Sequence, residues 1–234
     1  MEKLIAVIPA RGGSKRLPRK NVAEVGGLPL LAHTIRQARN SRWIEAAYVS
    51  TDAEDVASVA RSHGAEVIER PQSLANEHSS SEEAVLHALD VIEADTGYIP
   101  SAVVMLQCTS PIREPNDIDN AIEKFFADDA DSLLSACLTR QFIWRNKDGR
   151  SVPINYDAEH RPRSQDLEPQ FQENGSIYIT RTKLLRSAGN RLNGKISIYE
   201  MGFWSRFEID DEDDLALIAW IMNQKKRKSE ASPW

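Results

Sequence analysis

Cysteine is nearly absent: Cys108 and Cys137 are the only two in 234 residues. Each lies in or beside an apolar run, so both read as small buried hydrophobes rather than as a disulfide or a zinc centre. No apolar stretch approaches the roughly 18 to 20 residues needed to span a bilayer, and Leu4 to Ala10 is too short for a signal peptide. These absences point to a cytoplasmic location and away from a membrane. A positive excess is missing as well: 29 Lys plus Arg against 35 Asp plus Glu leave a net charge of −6, so no global basic field attracts nucleic acid. Any anionic ligand must be held by a local site. Internal repeats and low-complexity tracts are also lacking. With 41% hydrophobic residues, the chain has enough apolar material for one full domain carrying an insertion.

The apolar material falls in a regular rhythm. Leu4 to Ala10 is a continuous apolar run, as expected for a parallel strand covered on both faces. A polar loop follows from Arg11 to Asn21, and a helix is predicted from about Pro29 with Leu30, Leu31, Ile35 and Ala38 on one side. Further strands are predicted at Ala46 to Ser50, Glu66 to Glu69, Ser101 to Leu106 and Ser132 to Cys137. Between them, Thr51 with Glu54 and Ser80 with Glu83 fit capping boxes, and Asn116 fits a cap. The alternation predicts an open, mainly parallel α/β sheet with helices on both faces, a Rossmann-like arrangement whose ligands bind beyond the carboxyl ends of the strands. From Leu138 to Gln172 the periodicity is lost, and residues 138–172 read as an insertion. Strand character resumes at Gly175 to Ile179 and at Lys195 to Glu200, with a short helix at Arg181 to Ser187 between them. A last helix carries Leu215, Leu217, Ile218, Trp220 and Ile221, and the charged run Lys225 to Glu230 reads as its solvated end.

The first strand runs into Arg11-Gly12-Gly13-Ser14-Lys15-Arg16-Leu17-Pro18-Arg19-Lys20-Asn21, with five cations, two glycines and a serine. Glycines let backbone N–H groups approach phosphate oxygens, and the cations neutralise their charge. The loop lacks the Gly-Lys-Ser/Thr ending of a Walker A motif and is not Gly-x-Gly-x-x-Gly. Together with Val49-Ser50-Thr51-Asp52, Arg70-Pro71, Leu106-Gln107-Cys108-Thr109-Ser110-Pro111-Ile112-Arg113, Asn174-Gly175-Ser176-Ile177-Tyr178-Ile179 and Glu208-Ile209-Asp210, it resembles the signature of the CMP-sialic acid synthetases, or acylneuraminate cytidylyltransferases. The matches run in order through nearly the whole chain.

The resemblance implies that the anomeric hydroxyl of a nine-carbon α-keto acid sugar attacks the α-phosphate of CTP, giving a CMP-sugar and pyrophosphate. Positioning and charge neutralisation dominate such chemistry. By resemblance, Arg11 and Lys20 contact the triphosphate, joined by Gly12, Gly13 and Ser14 of the same loop, and Asn21 lies near the nucleotide. Ser80 and Ser81 match a region that borders the cytidine, although Ser80 is also a helix cap by its own pattern. Gln107 matches a position that contacts the sugar, against the alternative of a loop amide bonding the backbone. Cys108 stands where the family commonly has proline.

An Asp-x-Asp pair near the end of the family sequence binds a divalent metal, and here the pair is Glu208 and Asp210. Carboxylates one residue apart in an extended segment project to the same side, which suits joint ligation of Mg²⁺. Asp210 followed by Asp213 also fits a helix start. Arg11, Lys20 and Asp210 are the candidate catalytic residues. Arg145, Arg163, Asn174 and Tyr178 match sugar-binding positions, with strand packing the alternative for Tyr178. By resemblance the 138–172 segment also contributes to a homodimer interface. Two alternatives stay open: an eight-carbon, Kdo-type cytidylyltransferase, and a catalytically silent nucleotide-binding homologue.

Overall fold

The computed structural model describes residues 3–231. Eleven strands and six helices are found along it. The first half contains β1 (Leu4–Pro9), β2 (Glu24–Val25), β3 (Leu28–Pro29), α1 (Leu30–Asn40), β4 (Ile44–Thr51), α2 (Glu54–Ser62), β5 (Glu66–Glu69), α3 (Ser81–Thr96) and β6 (Ala102–Leu106). The second contains α4 (Asp117–Ala127), β7 (Ser132–Thr139), β8 (Trp144–Lys147), β9 (Arg150–Pro153), β10 (Gln170–Arg181), α5 (Thr182–Ala188), β11 (Ile196–Met201) and α6 (Glu212–Ala231).

Seven strands form the main sheet in the order β11-β7-β10-β6-β1-β4-β5. Six run parallel, and β10 is antiparallel to both β6 and β7. The uninterrupted apolar runs have the expected cause, because both faces of the central strands are covered. Leu4, Ala6 and Ile8 of β1 pack with Leu31 and Ile35 of α1, Val56 of α2 and Phe125 of α4. Ile5 and Val7 face the other way, toward Val85, Leu89 and Ile92 of α3 and Leu185 of α5. A third cluster joins Leu17 and Val25 to Ile209 and to Ile218 and Ile221 of α6. It brings the start of the chain against its last helix, which positions the site.

Three expected caps are built differently. Thr51 lies within β4, and its hydroxyl accepts from Ala53 N, so no capping box opens α2. The chain leaving β4 instead carries Asp52 beneath the basic loop, where its carboxylate accepts from Gly12 N at 2.9 Å. Asn116 makes no side-chain cap; the neighbouring Asp117 carboxylate instead turns back to accept from Glu114 N. Asp210 does not cap α6: Asp211 accepts from the backbones of Asp213 and Asp214, and Asp214 accepts from those of Asp210 and Asp211. The Ser80–Glu83 capping box forms as predicted.

The 138–172 segment is bounded by β7 and β10, which extend into it as far as Thr139 and Gln170. Between them stands the two-stranded β8–β9 hairpin, which pairs only with itself. Phe142 and Trp144 each make an edge-on contact with Tyr156, while Ile143, Trp144, Ile154 and Phe171 remain exposed. In α6, Ile218 and Ile221 are buried and Leu217 and Trp220 are exposed.

Candidate active site

A cleft of about 320 Å³ opens at the carboxyl ends of β1 and β6. This is the side of an open α/β sheet where ligands bind. One wall is the basic loop that follows β1. Gly12 is sterically required there, because an added Cβ would meet Ala53 Cβ at 2.5 Å, whereas Gly13 has open space on the cleft side. Arg19 adopts left-handed backbone angles (φ 56°) that start the short turn Lys20–Val22. Non-glycine residues populate that region sparingly. Burial of Leu17 in the third cluster anchors the loop.

These constraints aim the cations. Lys20 Nζ donates to Ile209 O at 2.9 Å and to the Asp210 carboxylate at 3.1 Å. Arg16 reaches the other Asp210 oxygen at 3.3 Å. Arg11 donates to Asn76 O at 2.7 Å, and Lys15 pairs with Glu77, so the loop touches the opposite rim. Asn21 is buried and spends its amide on structure: it donates to Arg11 O at 2.8 Å and accepts from the Cys108 thiol at 3.0 Å.

The floor comes from β6 and β10. Gln107 follows β6 directly, and Gly175 sits in an irregular stretch of β10 where the register to β7 shifts between Glu173 and Tyr178. Gly175 has φ +63°, and a Cβ there would lie 2.7 Å from Glu208 Oε2 and 2.8 Å from Gln107 Oε1. Bulges of this kind re-aim side chains beside active sites. Glu208 is half-buried; burial, then the charges of Asp210 and Glu173, push its carboxyl above the usual range. Burial also pushes the Cys108 thiol up to about 11, which leaves it an inert part of the floor.

Arg11, Gly13, Ser14, Lys20, Asn21, Ser80, Ser81, Gln107, Glu208 and Asp210 therefore line one cleft, with Gly12 immediately behind it. Four expected sugar-binding residues lie elsewhere in this chain. Asn174 is fully enclosed: its amide donates to Ser205 O, and its oxygen accepts from the Ser135 hydroxyl and Ser176 N. Tyr178 points to the opposite sheet face from Ile177, donates to Glu173 and packs beneath Arg191. Arg145 is exposed on β8, and Arg163 is exposed and held by both oxygens of Asp166. The cleft also contains Arg70, Glu77, Ser79 and Thr109, which sequence reasoning had not made site residues. Arg70 had a signal in its Arg-Pro match; it bonds the hydroxyl and carbonyl of Ser50, and burial lowers its pKa. Glu77 and Ser79 lie in an irregular connection with no pattern to mark them.

A mainly parallel sheet with a cation-rich loop facing two carboxylates across its carboxyl edge defines a nucleotidyltransferase fold. A solved CMP:2-keto-3-deoxy-manno-octonic acid synthetase complexed with CTP is similar, with a TM-score of 0.71 at 19% identity, covering 96% of this chain and 100% of that one. The chain belongs to the cytidylyltransferase family, whose profile matches residues 5–228. It is 36% identical to an N-acylneuraminate cytidylyltransferase of Oncorhynchus mykiss over 205 residues, 85% of this chain and 45% of that protein. It is 32% identical to a pseudaminic acid cytidylyltransferase of Campylobacter jejuni over 185 residues, 77% of this chain and 79% of that protein. The chain spans about half the length of the fish relatives it matches.

Proposed function

We propose that this protein transfers the CMP group of CTP to a nine-carbon α-keto acid sugar, sialic acid or a related nonulosonic acid, releasing pyrophosphate. The observation that carries the reading is the convergence of Arg11, Lys20, Gln107, Glu208 and Asp210 on one cleft. The names of the acylneuraminate and pseudaminic acid relatives support the nine-carbon sugar over an eight-carbon one.

In this reading Arg11 and Lys20 neutralise the triphosphate and backbone N–H groups of the loop complete its binding, while Ser80 and Ser81 at the start of α3 border the cytidine. Gln107 orients the sugar hydroxyls from the floor. Glu208 and Asp210 suit a hard divalent cation: both are oxygen donors on one wall, and burial followed by the charge of Asp210 raises the Glu208 pKa, a cost that a cation would relieve. Among the described residues no group of three or more His, Cys, Asp or Glu is placed to hold a metal. Mg²⁺ takes one or two protein carboxylates and completes its shell with phosphate and water, so Glu208 and Asp210 would be the residues to hold it. When bound, Mg²⁺ would supply charge neutralisation at the phosphates.

We place the reaction in the cytoplasm, and no described helix is long and apolar enough to cross a membrane. The acting form is a homodimer. Arg145 and Arg163 lie outside the cleft of their own chain, on the segment that bears the exposed apolar side chains, and would hold the acidic sugar in the partner's cleft. The test is pyrophosphate release from CTP with Mg²⁺ and a panel of keto-acid sugars. Release with a nine-carbon sugar is expected. Release only with an eight-carbon sugar, or with none, would replace the reading by the Kdo-type or the silent alternative.

A further inference from the structure

Arg113 is a buried cation with no carboxylate in ion-pair contact among the described residues. Nη1 donates to Thr34 Oγ1 at 3.1 Å and to Gln37 Oε1 at 2.7 Å, both on α1. Nη2 donates to the carbonyls of Gln107 at 2.9 Å and Ser176 at 2.7 Å. Its Nε has no acceptor among the described residues. Asp117, the carboxylate whose charge acts on it, is bonded to Tyr199 and to Glu114 N. Burial pulls the guanidinium down to about 10, so it stays charged at neutral pH.

A buried charge satisfied only by neutral acceptors is an expensive way to hold a core together. Two of its acceptors explain the expense. Gln107 directly follows β6, and Ser176 lies in its antiparallel neighbour β10, directly after Gly175, the residue against which Glu208 and Gln107 both close. A guanidinium is a rigid planar fork, so bonding both carbonyls fixes the separation of the two backbones, and α1 fixes the fork.

We propose that Arg113 is a positioning residue for nucleotidyl transfer. Through the carbonyls of Gln107 and Ser176 it sets the place of the Gln107 side chain relative to Glu208, and hence of the sugar relative to the nucleotide. This rests on the cytidylyltransferase reading above.

Arg113→Lys, which keeps the charge and loses the fork, tests the idea in two ways. In crystals of the ligand-free protein, the sheet should superpose on the wild type while Gln107 and residues 174–176 shift; unshifted positions overturn the proposal. In kinetics, kcat should fall by at least about tenfold while the CTP dissociation constant, measured by calorimetry, changes less than about twofold. A loss confined to CTP affinity, or one that tracks the folded fraction, overturns it. Should Arg113→Lys not fold, Thr34→Val loosens the fork without removing it. A smaller fall in kcat with CTP affinity kept then supports the proposal, and an unchanged kcat overturns it. A wild type that turns over no keto-acid sugar refutes the functional reading, and the ligand-free crystals then decide on Arg113 alone.

Discussion

Lys20 and Asp210 meet at 3.1 Å across the cleft although 190 positions separate them in the chain. The lysine side chain is largely buried and the aspartate half-exposed, so the pair joins the fixed end of the basic loop to the acidic wall. Lys20→Ala should lower kcat/KM by about one to two decades, the cost of about 1.5 to 3 kcal/mol for one charge-assisted contact. Thermal melting of the variant should stay cooperative. Steady-state kinetics with varied CTP check this, and unchanged constants would remove Lys20 from the nucleotide site.

Asp210 and Asp211 are adjacent and have separate tasks. Asp211→Ala removes the α6 cap and should cost about 1 kcal/mol of stability with kinetics preserved. Asp210→Asn should do the reverse, abolishing pyrophosphate release while moving the denaturation midpoint little. Unfolding and turnover measured on both variants would expose a mistaken assignment if the two effects were exchanged.

The insertion offers a test by mixing. Arg163→Ala should raise KM for the sugar far more than KM for CTP. If Arg163 serves the partner's cleft, inactive Asp210→Asn subunits mixed with Arg163→Ala subunits should recover activity, because one of the two clefts in a mixed dimer carries neither change. Trp144→Glu, at an exposed position on β8, should shift the sedimentation profile toward monomer. A fully active wild-type monomer would rule out the shared cleft.

His33 bonds Val25 O at 2.7 Å, and its burial lowers the imidazole pKa below the usual 6.5. The native state therefore takes up this proton less readily than the unfolded chain. The stability contributed by neutral His33 is full above about pH 6.5 and is lost as the pH falls toward the lowered native value. His33→Gln should flatten the melting-temperature profile between about pH 7 and pH 5 relative to the wild type. Parallel profiles would show that other groups set the acid dependence.

The parallel half of the sheet was legible because strands covered on both faces leave unbroken apolar runs, as in Ile5 to Ile8 and Ala102 to Leu106. The Ser80–Glu83 cap was legible because it is local. The direction of β10 was not, since Ile177 to Ile179 carry the same signature in either orientation and only the partners β6 and β7 decide it. Among Asp210, Asp211, Asp213 and Asp214 the cap could not be chosen from spacing. Lys20 and Arg16 draw Asp210 into the cleft and leave the cap to Asp211. The enclosure of Asn174 was illegible for a similar reason: its partners Ser135 and Ser205 lie 39 and 31 residues away and leave no local trace. The basic loop stood out in the sequence because, Leu17 apart, its composition serves no core.

The place of β10 between β6 and β7 also sets an order of assembly. Strands β1, β4, β5 and β6 can pair as the chain emerges from the ribosome, but β7 has no neighbour on the β6 side until β10 has been made. Ile209 N reaches back to Thr109 O at 2.8 Å, so the acidic wall closes last of all. Pairings this distant form slowly, because the intervening chain must first be ordered. A nascent chain released before residue 170 would therefore display the phosphate-seeking loop without the carboxylates that face it, and the half-made sheet would offer β6 as an open edge for aggregation.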